Sequence, residues 1–145
     1  MRAVIQRVRQ GRVSVGGQVV GETGPGLVIL VGIGPGDDEQ TARKMAQKIA
    51  NLRIFTDEQD KMNLSVLNIK GSALVISQFT LYADTRKGNR PSYFEAAPPE
   101  VASPLVDRFS EILSELGVPC AQGEFGAHML VEIKNDGPVT IWLEM

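Results

Sequence analysis

The sequence contains one histidine and one cysteine among its 145 residues. With one cysteine the chain cannot form an internal disulfide, and with one histidine it cannot build a two-Cys-two-His zinc site or a triad that uses several histidines. The longest apolar run, Leu27 to Val31, is too short to span a bilayer, and the N-terminal residues contain no apolar stretch of signal-peptide length. We therefore expect a cytoplasmic protein that has no membrane segment, no cofactor and no metal in its active site.

The remaining composition is that of a globular protein, with 43% hydrophobic and 22% charged residues. A chain of this length buries roughly 70% of the surface that it exposes when unfolded, so its core needs no disulfide or structural metal. The sequence contains no internal repeat, low-complexity tract or linker. Residues 1–145 are therefore predicted to form one domain.

Charge is distributed unevenly along the chain, although the net formal charge is only −2. Residues 1–94 hold 13 basic and 8 acidic side chains, whereas residues 95–145 hold 2 basic and 9 acidic ones. Two basic stretches, residues 2–12 and residues 86–90, lie in the first part. A phosphate backbone responds to local potential rather than to net charge, so the pattern permits a polyanionic partner. Solvated strand and loop charges are the simpler explanation.

Hydrophobic patterning predicts a largely antiparallel sheet. Residues 2–9 alternate in polarity and residues 27–33 are continuously apolar, as expected for a half-buried and a fully buried strand. Gly16-Gly17 lies between two short β-branched runs and predicts a tight hairpin. Residues 128–144 contain two strand-like runs around a turn sequence, Asn135-Asp136-Gly137-Pro138, and predict a second hairpin.

Two amphipathic helices are predicted from apolar residues at helical spacing. The first covers Glu39–Arg53 and the second covers about Pro99–Leu116, where Val101, Leu105 and Phe109 begin the apolar stripe. Together, these elements predict an α/β (α+β) fold in which two helices pack on a curled, largely antiparallel sheet.

Three hydrogen-bonding side chains, Ser77, Gln78 and Thr80, follow a buried strand that begins near residue 73. The end of a strand is where a sheet commonly presents a ligand-binding or catalytic group. A strand that leaves the core with its hydroxyls bonded to the backbone explains the same pattern. Thr80 is a possible nucleophile, but the local sequence supplies no base to activate it.

The segment Asn135-Asp136-Gly137-Pro138 also has two interpretations. Each residue favours turns, so an ordinary hairpin turn is the simpler one. An X-Pro bond in a tight turn is, however, the place where a cis peptide is most expected. A cis bond would fix the direction of the Gly137 carbonyl and make it a rigid hydrogen-bond acceptor.

A third segment surrounds the single histidine. Core packing and a pocket wall explain Phe125 and Met129 equally well. For His128, a surface or partly buried imidazole is favoured over a catalytic base, because no carboxylate at an obvious spacing would orient it. Cys120 is predicted to be a small buried residue.

Taken together, Ser77-Gln78-Phe79-Thr80-Leu81 and the segment from Asn135 to Thr140 resemble the motif pair of the D-aminoacyl-tRNA deacylases. The resemblance extends over essentially the whole chain. It includes Val4 to Val8, Arg53 to Phe55, Lys61 to Leu64, Ala83-Asp84, Arg90 to Ser92 and Trp142-Leu143.

This resemblance implies a homodimer with a β-barrel-like sheet and two helices, whose active sites lie at the subunit interface. The substrate would be the 3′ end of aminoacyl-tRNA, where the enzyme cleaves D-aminoacyl esters and mischarged glycyl esters. The catalytic floor of the pocket would consist of Ser77, Gln78, Phe79 and Thr80. Gly137-Pro138 would be the Gly-cisPro element that reaches into the partner's pocket, and Phe125, Met129 and Asn135 would line the pocket.

A rigid carbonyl aimed at the α-amino group would leave no space for an L side chain, so chirality would be selected by steric exclusion and glycine would pass. Backbone N–H groups near Phe79 and Thr80 would stabilise the oxyanion. In the family a ribose 2′-hydroxyl of the tRNA is thought to assist attack by water, whereas an older view makes Thr80 a direct participant. Two other functions stay open: a non-catalytic tRNA- or DNA-binding module, as reported for some animal relatives, and a general esterase.

Overall fold

The computed structural model describes all 145 residues and contains eight strands, two α-helices and one 3₁₀ helix. The strands are β1 (Arg2–Val15), β2 (Gln18–Thr23), β3 (Gly26–Gly32), β4 (Phe55–Thr56), β5 (Met62–Leu64), β6 (Ser72–Ser77), β7 (Cys120–Gln122) and β8 (Met129–Glu144). The helices are α1 (Glu39–Ala50), α2 (Pro99–Glu115) and the 3₁₀ helix (Phe79–Tyr82).

Strand β1 is the centre of the sheet because it pairs along both of its edges. One edge pairs antiparallel with β3 through residues 2–8 and with β2 through residues 11–15, and the other edge pairs antiparallel with β8. Strands β2 and β7 are the two ends of the strand order β2-β1-β3-β6-β7. A Cβ added to Gly21 of β2 would lie 2.5 Å from the Gln122 carbonyl oxygen of β7. The two ends of the sheet therefore approach each other, and the sheet is curled and nearly closed, as predicted.

The strands on the other side of β3 are parallel rather than antiparallel. Strand β6 pairs parallel with β3, and β7 pairs parallel with β6. Helix α1 lies in the connection between β3 and β6, and α2 lies between β6 and β7. A helical crossover returns the chain in the same direction, which explains these two parallel pairs within a largely antiparallel sheet.

The hairpin predicted at Gly16-Gly17 is confirmed, but the prediction of a second hairpin at the C-terminus is wrong. Residues 129–144 form one strand, β8, that pairs with β1 on both sides of the expected turn. Gln6 pairs with Thr140 and Gln10 pairs with Lys134, so four residue steps along β1 are matched by six along β8. The turn-favouring residues therefore form a bulge, because β1 is long enough to pair with both halves of β8.

Both predicted helices are present and pack against the main apolar core. Helix α1 ends at Ala50, three residues before the predicted end, and Asp38 caps its start by accepting a 2.8 Å hydrogen bond from the Thr41 N–H. In the first half of α2 the buried residues are Ala102 and Val106, whereas Val101 is exposed. Neither α1 nor α2 has the length and apolar character that a bilayer span requires.

The 3₁₀ helix lies very close to the end of β3. A Cβ added to Gly32 would lie 2.9 Å from the Gln78 carbonyl oxygen, and one added to Gly34 would lie 2.7 Å from the Tyr82 hydroxyl oxygen. Arg2 of β1 contacts the same 3₁₀ helix. Its guanidinium lies 4.2 Å from the centre of the Tyr82 ring and donates a 3.1 Å hydrogen bond to the Leu81 carbonyl. The segment that follows β6 is thus positioned by contacts with β1 and β3.

We predict that Gly32→Ala destabilises the protein, because the added methyl group would displace the Gln78 backbone. Overpacking of this kind costs about 1 to 3 kcal/mol, which corresponds to a fall in Tm of about 3 to 10 °C for a chain of this size. Gly36→Ala is the matched control, since an added Cβ there would have no neighbour within 4 Å. Thermal unfolding checks the prediction, and equal Tm values for the two variants would contradict it.

Candidate active site

A cavity of about 630 Å³ opens at the end of β6, beside the N-terminal end of α2. Most of its lining residues are hydrophobic, and its volume lies in the range of small-molecule binding sites. It is lined from β6 and the segment that follows by Ile76, Ser77, Gln78 and Phe79, from α2 and the residues before it by Tyr93, Pro98, Ala102 and Val106, and from the far wall by Phe125, His128, Met129 and Val131.

The cavity exists because β6 is left uncovered at its end. Strand β7 pairs with β6 only as far as Val75, where the Gly123 N–H donates a 3.0 Å hydrogen bond to the Val75 carbonyl. The chain then turns away, and β8 pairs with β1 instead of extending the sheet beside β6. Ile76 and Ser77 therefore have no strand on that edge, and the gap between β6 and α2 forms the cavity.

Hydrogen bonds fix the backbone that leaves β6. The Gln78 N–H donates to the Val31 carbonyl at 2.8 Å, and the Gln78 amide Nε2 donates to the Thr80 hydroxyl oxygen at 2.6 Å. The first hydrogen bond of the 3₁₀ turn runs from the Leu81 N–H to the Gln78 carbonyl at 3.2 Å. The N–H groups of Phe79 and Thr80 precede that bond and are left without a helical acceptor, which makes them available as donors.

No acid or base activates Thr80. Its hydroxyl is hydrogen-bonded to the Gln78 amide, and no carboxylate, imidazole or amine is bonded to it. Cys120 does not line the cavity, and burial raises the pKa of its thiol to about 11, so it is a neutral thiol near pH 7. The site can therefore position and polarise a bound group through its backbone, but its own side chains offer no activated nucleophile.

Aromatic side chains form the mouth of the cavity. Phe79 is 57% exposed, and its ring packs edge-to-face against Tyr93 with 4.9 Å between ring centres. Phe125 and Met129 form the opposite wall, and Met129 also packs against the smaller cluster of buried apolar residues. His128 also lines the cavity, exposed and without a hydrogen bond.

Sequence reasoning did not identify Tyr93, Ala102 or Val106 as pocket residues. A signal for the α2 pair was present: Ala102 and Val106 are smaller than Leu105 and Phe109 of the predicted stripe, and small side chains leave space next to the sheet. For Tyr93 no local pattern distinguishes a pocket residue from a loop residue.

The other predicted site residues do not line this cavity, although Thr80 directly follows Phe79, which does. Gly137 and Pro138 are exposed on the bulge of β8 and do not line it, and neither does Asn135 or Thr80. The Gly137-Pro138 peptide is cis, as predicted. The side-chain amide of Asn135 donates to the Thr140 hydroxyl at 3.2 Å, while its buried carbonyl oxygen Oδ1 has no hydrogen-bond partner.

Arg7 contacts the bulge of β8 from the interior of the protein. It is a buried cation whose Nη1 donates to the Ile54 carbonyl at 2.6 Å and whose Nε donates to the Asp136 carbonyl at 3.2 Å. An added Cβ on Gly137 would lie 2.7 Å from Arg7 Nη2. The signal for this residue was visible in the sequence, since Arg7 occupies the face of β1 that Ala3 and Ile5 bury in the core.

Comparison with known proteins gives consistent matches over the whole chain. A family model described as D-Tyr-tRNA(Tyr) deacylase matches residues 4–144. A D-aminoacyl-tRNA deacylase of Roseiflexus sp. (strain RS-1) is 61% identical over 144 residues, which cover 99% of this chain and 93% of that protein.

Two solved structures are also similar. One is a c-Myc DNA Unwinding Element Binding Protein, 42% identical, with a TM-score of 0.95 and coverage of 100% of this chain and 99% of that one. The other, described as a probable eukaryotic D-amino acid tRNA deacylase, shares the fold at 18% identity, with a TM-score of 0.83 and coverage of 99% and 98%. Because the family model and the curated relative match nearly every residue, the chain belongs to the D-Tyr-tRNA(Tyr) deacylase family.

Proposed function

We propose that this protein hydrolyses the ester bond of D-aminoacyl-tRNA, and of mischarged glycyl-tRNA, to release the free amino acid and tRNA. The observation that carries the proposal is the cavity at the end of β6, where aromatic walls adjoin backbone N–H donors in a chain of this family. Such a cavity can bind a nucleoside and present a carbonyl to fixed donors. The reaction would take place in the cytoplasm, where aminoacyl-tRNA is used.

Backbone groups would carry most of the chemistry. An aminoacyl ester is already activated, so orientation of the ester and stabilisation of the oxyanion account for much of the acceleration needed. The N–H groups of Phe79 and Thr80 are the first donors after β6 that have no helical acceptor, and Ser77 and Gln78 would contact the adenosine and the ester. A water molecule, assisted by the ribose 2′-hydroxyl, would attack the carbonyl carbon.

Selection against L residues would come from a second subunit. Within one chain, Gly137 and Pro138 lie outside the cavity, and no carboxylate lines the cavity to pair with the α-amino group. We propose a homodimer in which the Gly137 carbonyl of each subunit enters the other's cavity. Leu130 and Trp142 support this arrangement, because both are large exposed hydrophobic residues on β8, the strand that carries the bulge.

A non-catalytic nucleic-acid-binding module is the second candidate. Its support is the similarity to the c-Myc DNA Unwinding Element Binding Protein, together with the excess of basic residues in the first 94 positions. The two functions differ in outcome, because a binding module would retain aminoacyl-tRNA without cleaving it.

Incubation of the purified protein with D-tyrosyl-tRNA and L-tyrosyl-tRNA tests the proposed function. We expect release of D-tyrosine at a rate at least about 100-fold above that of L-tyrosine, because steric exclusion prevents the L ester from reaching the reactive position. Glycyl-tRNA is expected to be cleaved. Binding without preferential D-ester cleavage would favour the binding module, and cleavage of simple esters that contain no adenosine would indicate a general esterase.

We predict that Thr80→Ala retains activity to within about 10-fold, since no base activates the hydroxyl, whereas a general acid or base contributes about 10²- to 10⁴-fold. The measurement is single-turnover hydrolysis of D-tyrosyl-tRNA. The companion substrate is D-tyrosyl-tRNA that ends in 2′-deoxyadenosine, which we expect to be cleaved poorly by the unmodified protein. A loss of several orders of magnitude in Thr80→Ala, with binding intact, would show that Thr80 participates directly.

Gly137→Ala is predicted to lower kcat/KM for D-tyrosyl-tRNA by at least about 10-fold, because a small misplacement of a positioning group is costly. Gly137 has a φ of 114° and lies against Arg7, so the carbonyl direction must change. Gly17→Ala is the control: its φ is 84°, but an added Cβ there would have no neighbour within 4 Å. Unchanged activity and unchanged D/L selectivity in Gly137→Ala would refute the role given to this residue.

A further inference from the structure

Residues 84–94 form an exposed basic loop beside the cavity, and the charged side chains of this loop have no role in the hydrolysis proposed above. Its base is closed by two backbone hydrogen bonds, from the Asp84 N–H to the Ser92 carbonyl at 2.8 Å and from the Ser92 N–H to the Asp84 carbonyl at 2.9 Å. Arg86, Lys87 and Arg90 project from this closed loop and are all exposed. The cations are therefore attached to an anchored segment rather than to a free tail.

The loop is placed at the mouth of the cavity by Tyr93. Tyr93 lines the cavity and packs against Phe79 with 4.9 Å between ring centres. Arg90 precedes Tyr93 by three residues, and three residues span at most about 11 Å. A polymer whose terminal nucleoside occupies the cavity, and which leaves it past Phe79 and Tyr93, would therefore pass close to this loop.

Two of the three cations are free to bind a ligand. Arg86 is paired with Asp84 at 2.7 Å, and hydrogen bonds from Arg86 lower the pKa of Asp84 to about 2, so this pair persists near neutral pH. The nearby Glu95 also acts on Arg86. Lys87 and Arg90 form no salt bridge, in contrast to Arg86 and to the cation of α2, Arg108.

An exposed aromatic residue adjoins these cations. Phe94 is 95% exposed, which is the highest value among the large hydrophobic residues of the chain, and it directly follows Tyr93. Proteins that bind single-stranded nucleic acid combine cations along the backbone with aromatic rings on which bases stack. Bases within a duplex are already stacked, so a free ring of this kind suits an unpaired strand.

We propose that Lys87, Arg90 and Phe94 form a binding surface for the single-stranded 3′ end of the tRNA, directly before its terminal adenosine. Lys87 and Arg90 contact the phosphates, and Phe94 stacks on an unpaired base. This inference rests on the proposed function and adds to it the part of the protein that distinguishes tRNA from a small ester.

The test compares D-tyrosyl-tRNA with D-tyrosyl-adenosine, which carries the same reacting ester without the RNA. The double variant K87Q/R90Q removes two cations, and K44Q/K48Q removes two exposed cations from α1, which contributes no residue to the cavity. The readout is kcat/KM between 50 and 200 mM KCl. For single strands, the logarithm of affinity falls with the logarithm of salt concentration with a slope of about −0.7 per phosphate contact. K87Q/R90Q removes two such contacts, so the slope of log kcat/KM against log [KCl] for D-tyrosyl-tRNA should become less negative by about 1.4.

We expect K44Q/K48Q to keep the slope of the unmodified protein, and K87Q/R90Q to cleave D-tyrosyl-adenosine as the unmodified protein does. Phe94→Ala should raise KM for D-tyrosyl-tRNA about fivefold or more without affecting the adenosine ester.

If the unmodified protein cleaves neither ester, the proposed function itself is wrong. If it cleaves D-tyrosyl-tRNA and K87Q/R90Q keeps the original slope, or K44Q/K48Q changes it equally, the binding surface is wrong while the function stands. Equal losses on both esters in Phe94→Ala would likewise overturn the role of that residue in RNA binding.

Discussion

The pairing of β8 with both halves of β1 is the interaction on which the rest of the structure depends. Because β8 follows β1, it does not extend the sheet beside β6, and the end of β6 stays open as the wall of a cavity. Because β8 has more residues than the matching part of β1, the excess forms a bulge that exposes Gly137 and Pro138. One pairing thus creates the cavity and the segment that we propose to enter the cavity of a second subunit.

The bulge requires support from inside the protein, and a buried guanidinium supplies it. Burying a charge is unfavourable unless it is paired and hydrogen-bonded. Arg7 meets that condition through the carbonyls of Ile54 and Asp136 and through an ion pair with the Asp136 carboxylate at 3.5 Å. The same contacts tie the bulge to β1 and to the segment before β4, so a segment of turn-favouring residues has a defined position.

The scarcity of histidine and cysteine agrees with the chemistry that the site offers. The cavity presents backbone N–H groups, aromatic walls and amide, hydroxyl and imidazole side chains. The imidazole, His128, forms no hydrogen bond there, and the single thiol is neutral and lies elsewhere. A site of this kind suits a substrate that is already activated and that brings its own hydroxyl group. In our proposal the basic loop at the mouth of the cavity contacts the RNA, so RNA recognition is separate from the reacting centre.

Features that depend on near neighbours could be predicted from the sequence alone: both helices, the Gly16-Gly17 hairpin, the buried strands and the strand end at Ser77 to Thr80. Periodicity and turn chemistry act over a few residues, so the chain reveals them directly. The sequence alone did not show whether residues 128–144 fold back on themselves or continue along β1, where β7 stops beside β6, or that Tyr93, Ala102 and Val106 meet in one cavity. Those outcomes depend on pairings between segments far apart in the chain, so they become visible only in the folded structure. At residues 135–138 a local turn preference is weaker than the hydrogen bonds that both halves of β8 form with an available strand.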